Sequence, residues 1–493
     1  MGFPDGWGFY KTRNIKRASG ALSNWQARLV IAEGSSDVIG SELVTNGDGE
    51  STTGWTTYQC SVASVDGGYS GKCFQVTDAA ASGSNQIYRD ITSLVTVGKR
   101  YRLSGYVKSG TSGDELYKFA VHDSVWGWQE YILGTSSSEW VYVSKDFILT
   151  QTAATIRISF LKNSYTDGTM LFDSISLVEI ADITLGGHAK TDFGDLRFSN
   201  SANGPLDYFI DHVDGTTPNQ AAHIDVEIDS VATSDTQIKV WYGNSSATSE
   251  SSSANTFILF DDFERGNDGD AVGGDWTVSA GTCEIDTAQK YAGTRSFRAV
   301  GSVGGGGLAT IPMTAASGEY AIQVWMRKQD AAWASLLAHG DGAKRLSLFA
   351  NTSEDITTHD GSTYNDTGAN STNDTWQLYE VNNIDFSAGT FDVYQDNSLI
   401  KSGATMATSS ANEDNIRIGC GSFAADVWID NLIVRQWNAT PPEWQGDGWS
   451  AEQSNSGGEV TGPAGIKSVN GILSAAIKSR NTTAWSAIKA LNN

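Results

Sequence analysis

Phe172-Asp173-Ser174-Ile175-Ser176-Leu177-Val178-Glu179-Ile180 and Val427-Trp428-Ile429-Asp430-Asn431-Leu432-Ile433-Val434 are two versions of one strand, an apolar run that carries a single aspartate among its β-branched and aromatic residues. Each closes a stretch that opens in the same order. The first opens at Asn46-Gly47-Asp48-Gly49-Glu50, then carries Trp55 and Gly68-Tyr69-Ser70-Gly71-Lys72-Cys73-Phe74. The second opens at Phe260-Asp261-Asp262-Phe263-Glu264, then carries Trp276 and Tyr291-Ala292-Gly293-Thr294-Arg295-Ser296-Phe297. An acidic opening, a tryptophan, a Tyr-x-Gly turn leading to a phenylalanine, and a closing apolar-Asp strand thus occur twice. Between them Thr, Ser, Val and aromatics recur, with turn signals roughly every 8 to 12 residues, the spacing of sandwich strands. The fold class that follows is all-β: several β-sandwiches of the jelly-roll kind, one architecture used more than once.

Length and composition agree. A chain of 493 residues implies about three or four domains. Its 16 Trp, 17 Tyr and 18 Phe can fill several cores without staples. The formal charge of -24 repels phosphate and anionic lipid, so neither nucleic acid nor membrane is an expected partner. The same carboxylate excess offers ligands to hard cations such as calcium. The opening MGFPDGWGFYKTRNIKR has no apolar segment after its basic residues, so no secretory signal is read there. No run of about 18 apolar residues occurs, so no transmembrane helix is expected. Use inside a cell, cutting from a precursor, or release by particle assembly and lysis remain as routes, and the third suits a virion protein. Cys60, Cys73, Cys283 and Cys420 form no CxxC or Cys/His cluster, so zinc is not expected. Cys60 and Cys73 flank a turn at Asp66-Gly67-Gly68; four free buried thiols are the preferred reading over a pair.

The chain divides by pattern into a first β segment at 1–40, a sandwich at 41–180, a resumed β pattern at 181–255, a second sandwich at 256–440, a Gly/Pro/Ser-rich linker at 441–465 and a tail at 466–493. The tail repeats every eleven residues: Ile466-Lys467-Ser468, Ile477-Lys478-Ser479 and Ile488-Lys489-Ala490. Eleven residues also fit three helical turns, so helix and strand both stay open, with short strands preferred. So short a segment buries too little apolar surface to fold alone. Self-association as a homo-oligomer, a trimer by analogy with fibres, is the expected use; docking on a different partner protein and a disordered tail are the alternatives.

Trp7-Gly8-Phe9-Tyr10, Asp192-Phe193-Gly194-Asp195-Leu196-Arg197-Phe198, Asp207-Tyr208-Phe209-Ile210 and Val240-Trp241-Tyr242-Gly243-Asn244-Ser245-Ser246-Ala247 together resemble the family known as domain of unknown function 2341, a β domain seen in phage and extracellular proteins. Its pieces lie at 7–33 and 183–250, so residues 41–180 read as an insertion. Those residues resemble carbohydrate-binding modules of the family 4, 9 and 22 type, through the opening and closing motifs above and Tyr101-Arg102-Leu103-Ser104-Gly105-Tyr106-Val107-Lys108. Residues 257–440 resemble the concanavalin-A-like lectin/glucanase superfamily.

The carbohydrate-module resemblance implies a structural calcium between the acid of the opening motif and that of the closing strand. Here these are Glu50 and Asp173, with backbone carbonyls near Lys72; Glu264 and Asp430 hold the equivalent places later. Surface acids capping turns are the alternative. For sugar, Trp126 and Trp128 lie two apart on one strand, about 7 Å by strand rise. Tyr58, Tyr88 and Arg89 are expected to border the same cleft. Core or loop packing is the alternative there, and Trp55, Trp276 and Trp428 read as core.

No catalytic constellation stands out. In Glu284-Ile285-Asp286-Thr287-Ala288-Gln289, glutamine occupies the place where a glucanase strand needs its second glutamate, and an amide cannot exchange the proton. Asp225, Glu227 and Asp229 share a strand face that reads as solvated. Gly301-Ser302-Val303-Gly304-Gly305-Gly306-Gly307 lacks a following Lys-Ser/Thr and reads as a loop. The expectation is a non-enzymatic virion protein, displayed at the particle surface as a fibre, appendage or capsid decoration. It would contact host or environmental glycans and other virion proteins. A secreted polysaccharide hydrolase with accessory modules and a purely structural spacer are the alternatives.

Overall fold

The computed structural model describes residues 5–78, 85–123, 127–149, 155–163, 167–313, 320–329, 334–338, 346–385, 387–407, 415–421, 425–445, 448–455, 468–469 and 472–473. The protein is all-β, and its one described helix is the single turn Ser253–Thr256. No helix among the described residues is long and apolar enough to cross a membrane. The chain separates into two compact units. One comprises residues 1–35, 183–256 and 440–493; the other comprises 36–182 and 257–439 and contains two separate hydrophobic cores.

The first unit is the split domain. One of its sheets runs in the order Pro205–Leu206, Arg197–Asn200, Thr236–Tyr242, Phe9–Lys16, Glu443–Gln445, with Gln453–Ser454 also paired to Phe9–Lys16. The other runs Ile183–Thr184, Leu22–Ala32, Ala221–Val231, Tyr208–Asp214. Ile15, Leu29, Ile31, Phe198, Ile224, Ile238 and Tyr242 are buried between them.

The stretch 441–465 is therefore not simply a linker. Residues 443–445 and 453–454 pair antiparallel with the strand Phe9–Lys16, Asn14 opposite Gln445 and Phe9 opposite Ser454. The cause is two indoles in a segment whose composition otherwise signals a linker. Trp444 and Trp449 pack on the core, their ring centroids 5.6 Å apart, and Arg13 lies 5.4 Å over Trp444. Covering an edge strand also satisfies its outward N–H and C=O groups. Both sandwiches thus interrupt the split domain, one between its first and second segments and one between its second and third.

In the first sandwich, one five-stranded sheet runs Val141–Ile148, Arg100–Ser109, Thr169–Glu179, Lys72–Asp78, Cys60–Asp66. The facing sheet runs Thr56–Tyr58, Asn85–Asp90, Ile156–Lys162, Leu116–Asp123, Gly127–Thr135. Alternation places Phe74, Phe119, Phe160 and Phe172 inside, with Phe119 edge-on to Phe160 at 4.5 Å. Lys162, fully buried, is neutralised by Asp78 at 2.8 Å and Glu115 at 2.7 Å.

In the second sandwich, one sheet runs Thr282–Asp286, Ser296–Val300, Val427–Gln436, Tyr320–Lys328, Gln377–Asp385, Thr390–Gln395, Ser398–Thr405, and Leu259–Asp261 joins Val427–Gln436. The other runs Thr277–Ala280, Leu308–Pro312, Asn415–Cys420, Ala334–Ala338, Ser347–Ala350, Asp355–His359, Tyr364–Asn370. All four cysteines are free and buried, and burial pushes each thiol up, Cys60 to about 11. Of the tail, only Ser468–Val469 paired antiparallel with Ile472–Leu473 lies within the described residues. Ile466, Ile477 and Ile488 lie outside them.

Candidate functional site

Two features of the first sandwich bear on function: an acid tie at one sheet and a polar aromatic face on the other. The tie forms because the turn at 68–72 folds over the closing strand. Asp173 is fully buried, and its Oδ2 accepts from the Ser70 N–H at 3.1 Å. Glu50 Oε1 accepts from the Lys72 N–H at 2.8 Å. A Cβ on Gly68 would stand 2.4 Å from the Lys72 carbonyl oxygen and 2.7 Å from Asp173 Oδ2, so only glycine lets these oxygens approach. Burial raises the Asp173 pKa, and backbone donors at Ser70, Ser174 and Tyr69 only partly offset it.

The second sandwich repeats this tie. Asp430, also fully buried, accepts from Tyr291 N–H at 2.8 Å and Ala292 N–H at 3.1 Å. Burial pushes its pKa up to about 7, and neighbouring Glu264 adds to the rise. Glu264 accepts from Thr294 N–H at 2.6 Å and Arg295 N–H at 2.8 Å. Each pair of acids and the turn beside it assemble as one unit; burial raises both aspartates, a second carboxylate adds to the rise at Asp430 alone, and a hard cation could relieve either.

The second feature follows from strand register. Thr56, Tyr88, Ser159, Ala120 and Tyr131 form one outward row across the sheet, and Tyr58, Gln86, Leu161, Lys118 and Leu133 form the next. Asp90, Arg157 and His122 form a third. Ser159 and Ala120 are buried at 2% and 0% exposure, so they are a floor between taller Tyr88 and Tyr131. Those tyrosines stand three strand spacings apart, about 14 Å. Arg157 lies over the Tyr88 ring at 4.6 Å and Lys118 over the Tyr131 ring at 5.0 Å. The Arg157 Nε is buried and finds no hydrogen-bond acceptor among the described residues.

Of the residues expected from sequence, Tyr58 and Tyr88 share this face, and Tyr58 is half exposed. For Trp128 the backbone alone is described, paired with His122. Trp126 lies outside the described residues. Arg89 does not border the cleft with them. It follows Tyr88 on the strand and so points to the opposite face, where it donates to the Thr45 carbonyl at 2.6 Å and hydroxyl at 2.7 Å. Sequence reading missed Arg157, His122, Lys118 and Tyr131, which join the site only through cross-strand register.

Trp55 and Trp276 are core residues. Trp428 is buried differently, beneath Arg298 and Arg327. The strand Thr282–Asp286 spends its acids structurally: Glu284 pairs with Arg298 at 3.0 Å, and Asp286 caps the Ala288 and Gln289 N–H groups. The run Asp225, Glu227, Asp229 is the solvated face expected only at its far end, where Asp229 is exposed. Asp225 is buried against Arg28 at 2.6 Å, and burial, then Asp207 and Asp229, push Glu227 up to about 7.

Comparison with known proteins gives two family matches. Residues 41–166 match the family described as Carbohydrate binding domain, and residues 192–279 match Domain of unknown function (DUF2341). The first match covers the polar aromatic face and Glu50 and ends before Asp173. The second runs from the split domain into the second sandwich. No curated protein matches the chain. Among solved structures, the chain is similar to the CBM22-1 xylan-binding domain of Paenibacillus barcinonensis Xyn10C, at 20% identity over 29% of this chain and 97% of that one, TM-score 0.26. It is similar to the CBM22-1-CBM22-2 tandem of the same protein at 13% identity over 81% and 99%, TM-score 0.29. It is also similar to bacteriophage CBA120 tailspike protein 4, at 15% identity over 28% and 21%, TM-score 0.24.

Proposed function

We propose that this chain is a non-catalytic glycan-binding protein, and that the outward face of the sheet bearing Tyr58, Tyr88, Arg157 and Tyr131 takes the sugar. The observation that carries the reading is the coincidence of that face with the stretch 41–166 that matches a carbohydrate-binding family. The chemistry suits it. Sugars offer C–H faces to aromatic rings and hydroxyls to fixed polar groups. Tyr88 and Tyr131 wall a floor of small residues, and the Arg157 Nε is a buried donor still to be satisfied. The test is binding of the full chain to a broad glycan array, followed by titration calorimetry on the best oligosaccharide. Tyr88→Ala and Arg157→Ala should each weaken binding. A chain that binds nothing on the array ends the reading.

Calcium belongs to the same proposal as a structural cation. Glu50, Asp173 and the Lys72 carbonyl would hold one ion, and Glu264 with Asp430 a second. Its part is to neutralise the buried acids and pin each turn to its closing strand. The chain's place as a virion surface protein is the finer reading, supported by the repeated Ile-Lys tail that suits self-association. Light scattering of the full chain against one ending at Gly462 tests the trimer, and antibody labelling of particles tests the location.

A further inference from the structure

We propose that the split domain carries a transition-metal site, best suited to zinc, formed by His212, Asp214 and His223. The site lies outside the sandwich proposed to bind glycan and stands on separate observations. His212 and His223 are cross-strand partners on the antiparallel strands Tyr208–Asp214 and Ala221–Val231, and Asp214 follows His212 by two residues on the same face. Their ligand atoms all lie within 4.8 Å of one another. Both Nε2 atoms face one oxygen: His223 Nε2 is 3.1 Å and His212 Nε2 3.5 Å from Asp214 Oδ2. Neighbouring ligands of a tetrahedral zinc with bonds near 2.0 Å stand about 3.3 Å apart, so little movement is needed.

The support behind these ligands is what separates them from a chance surface cluster. The ladder slips between Ile210 and His212, leaving Asp211 as the extra residue of a bulge. A bulge re-aims its side chains. Asp211 Oδ2 here meets His212 Nδ1 at 3.0 Å and is itself held by Arg28, which also grips Asp225. A carboxylate on one ring nitrogen fixes the tautomer and turns the other nitrogen's lone pair outward, the arrangement that orients ligating histidines. The two imidazoles stack at 4.1 Å, 12° from parallel, with His223 buried and His212 and Asp214 exposed. Two imidazoles and one carboxylate suit zinc, and the exposed side leaves room for water to complete the shell.

The experiment is zinc titration calorimetry on the full chain in calcium-containing buffer, which occupies hard-cation sites, at a pH above the histidine range. The wild type should bind one zinc equivalent that His212→Gln and Asp214→Asn each lose. Because both residues are exposed, the zinc-free melting temperature should not change. Asp211→Asn should keep the site but weaken it about 10–100-fold. Cobalt(II) should give visible absorption bands that disappear in the same two variants. A wild type that takes up no zinc, or His212→Gln and Asp214→Asn chains that bind as many equivalents as the wild type, overturns the proposal.

Discussion

Asp173 in the first sandwich stands across the sheet from Tyr106, and Asp430 in the second from Trp325. In each, a turn tyrosine stacks on that aromatic: Tyr69 on Tyr106 at 3.7 Å and Tyr291 on Trp325 at 3.6 Å. The residue after each aspartate, Ser174 or Asn431, has positive φ, so both closing strands break at the same place. What surrounds the opening acid differs. Glu264 is held by the Thr294 N–H and hydroxyl, the Arg295 N–H and, at 3.5 Å, the Arg295 guanidinium. Burial works to raise its pKa, but these donors outweigh it and hold the carboxyl below its usual value. Glu50 is held at the Lys72 N–H. The second sandwich thus adds a hydroxyl and a guanidinium to its backbone donors, so the cation proposed above is expected to matter more in the first sandwich.

The largest test of that contrast concerns internal charge. The proposed cation would matter most if the first sandwich tolerates no uncompensated charge. Lys162→Met leaves Asp78 and Glu115 buried without their cation and should cost about 3–5 kcal/mol. Scanning calorimetry should show the first sandwich's transition moving down alone; a shift of both sandwiches together would break the comparison.

Cation removal comes next. A ligand present at about 100 times its Kd stabilises by about 2.7 kcal/mol. Chelator should therefore lower the first sandwich's melting temperature by several degrees and the second's by less. Asp173→Asn should abolish the first response, and Asp430→Asn the second. Equal responses would show that the Arg295 guanidinium does not substitute for the ion.

A pH series asks how far burial and neighbouring carboxylates raise an acid without a closing turn. Glu227, in the split domain, has its pKa raised from 4.5 to about 7 in the folded state. The native state then binds this proton more tightly than the unfolded chain. Stability should fall as pH rises from about 4.5 through about 7 and level off above. Glu227→Gln should flatten that slope in denaturant titrations of the split domain.

The smallest effect is on binding. Tyr88→Ala should weaken glycan affinity about tenfold, near 1.4 kcal/mol, while Tyr364→Ala on the second sandwich should leave it unchanged. Loss through Tyr364 would move the sugar site to the other sandwich.

The duplicated closure was legible because it is local: an acid, a tryptophan, a Tyr-x-Gly turn and an Asp-bearing strand each sit in one short window. The polar face was half legible. Tyr58 and Tyr88 stand near each other in sequence, but Arg157 and Tyr131 reach the face from strands whose register no window of sequence reveals. Arg89 was misplaced although the strand's two-residue period already sets it opposite Tyr88. The edge segment at 443–454 was hidden because Gly, Pro and Ser outnumber its two tryptophans. The His212–His223 pair was invisible until the hairpin register, with its slip at Asp211, put the rings face to face.

The strand Phe9–Lys16 bonds on one side to Thr236–Tyr242 and on the other to residues 443–445 and 453–454. Ribosomal synthesis is vectorial, at roughly 5–20 residues per second. The nascent N-terminal strand therefore waits some tens of seconds for its last neighbour to be made. Meanwhile the two interrupting sandwiches, each with its own core, are free to fold in turn. Its exposed edge is a template for wrong pairing during that interval. A chain halted by truncation before residue 443 should thus accumulate with folded sandwiches and an unfinished, self-adhesive sheet, a quality-control checkpoint written into the order of the segments.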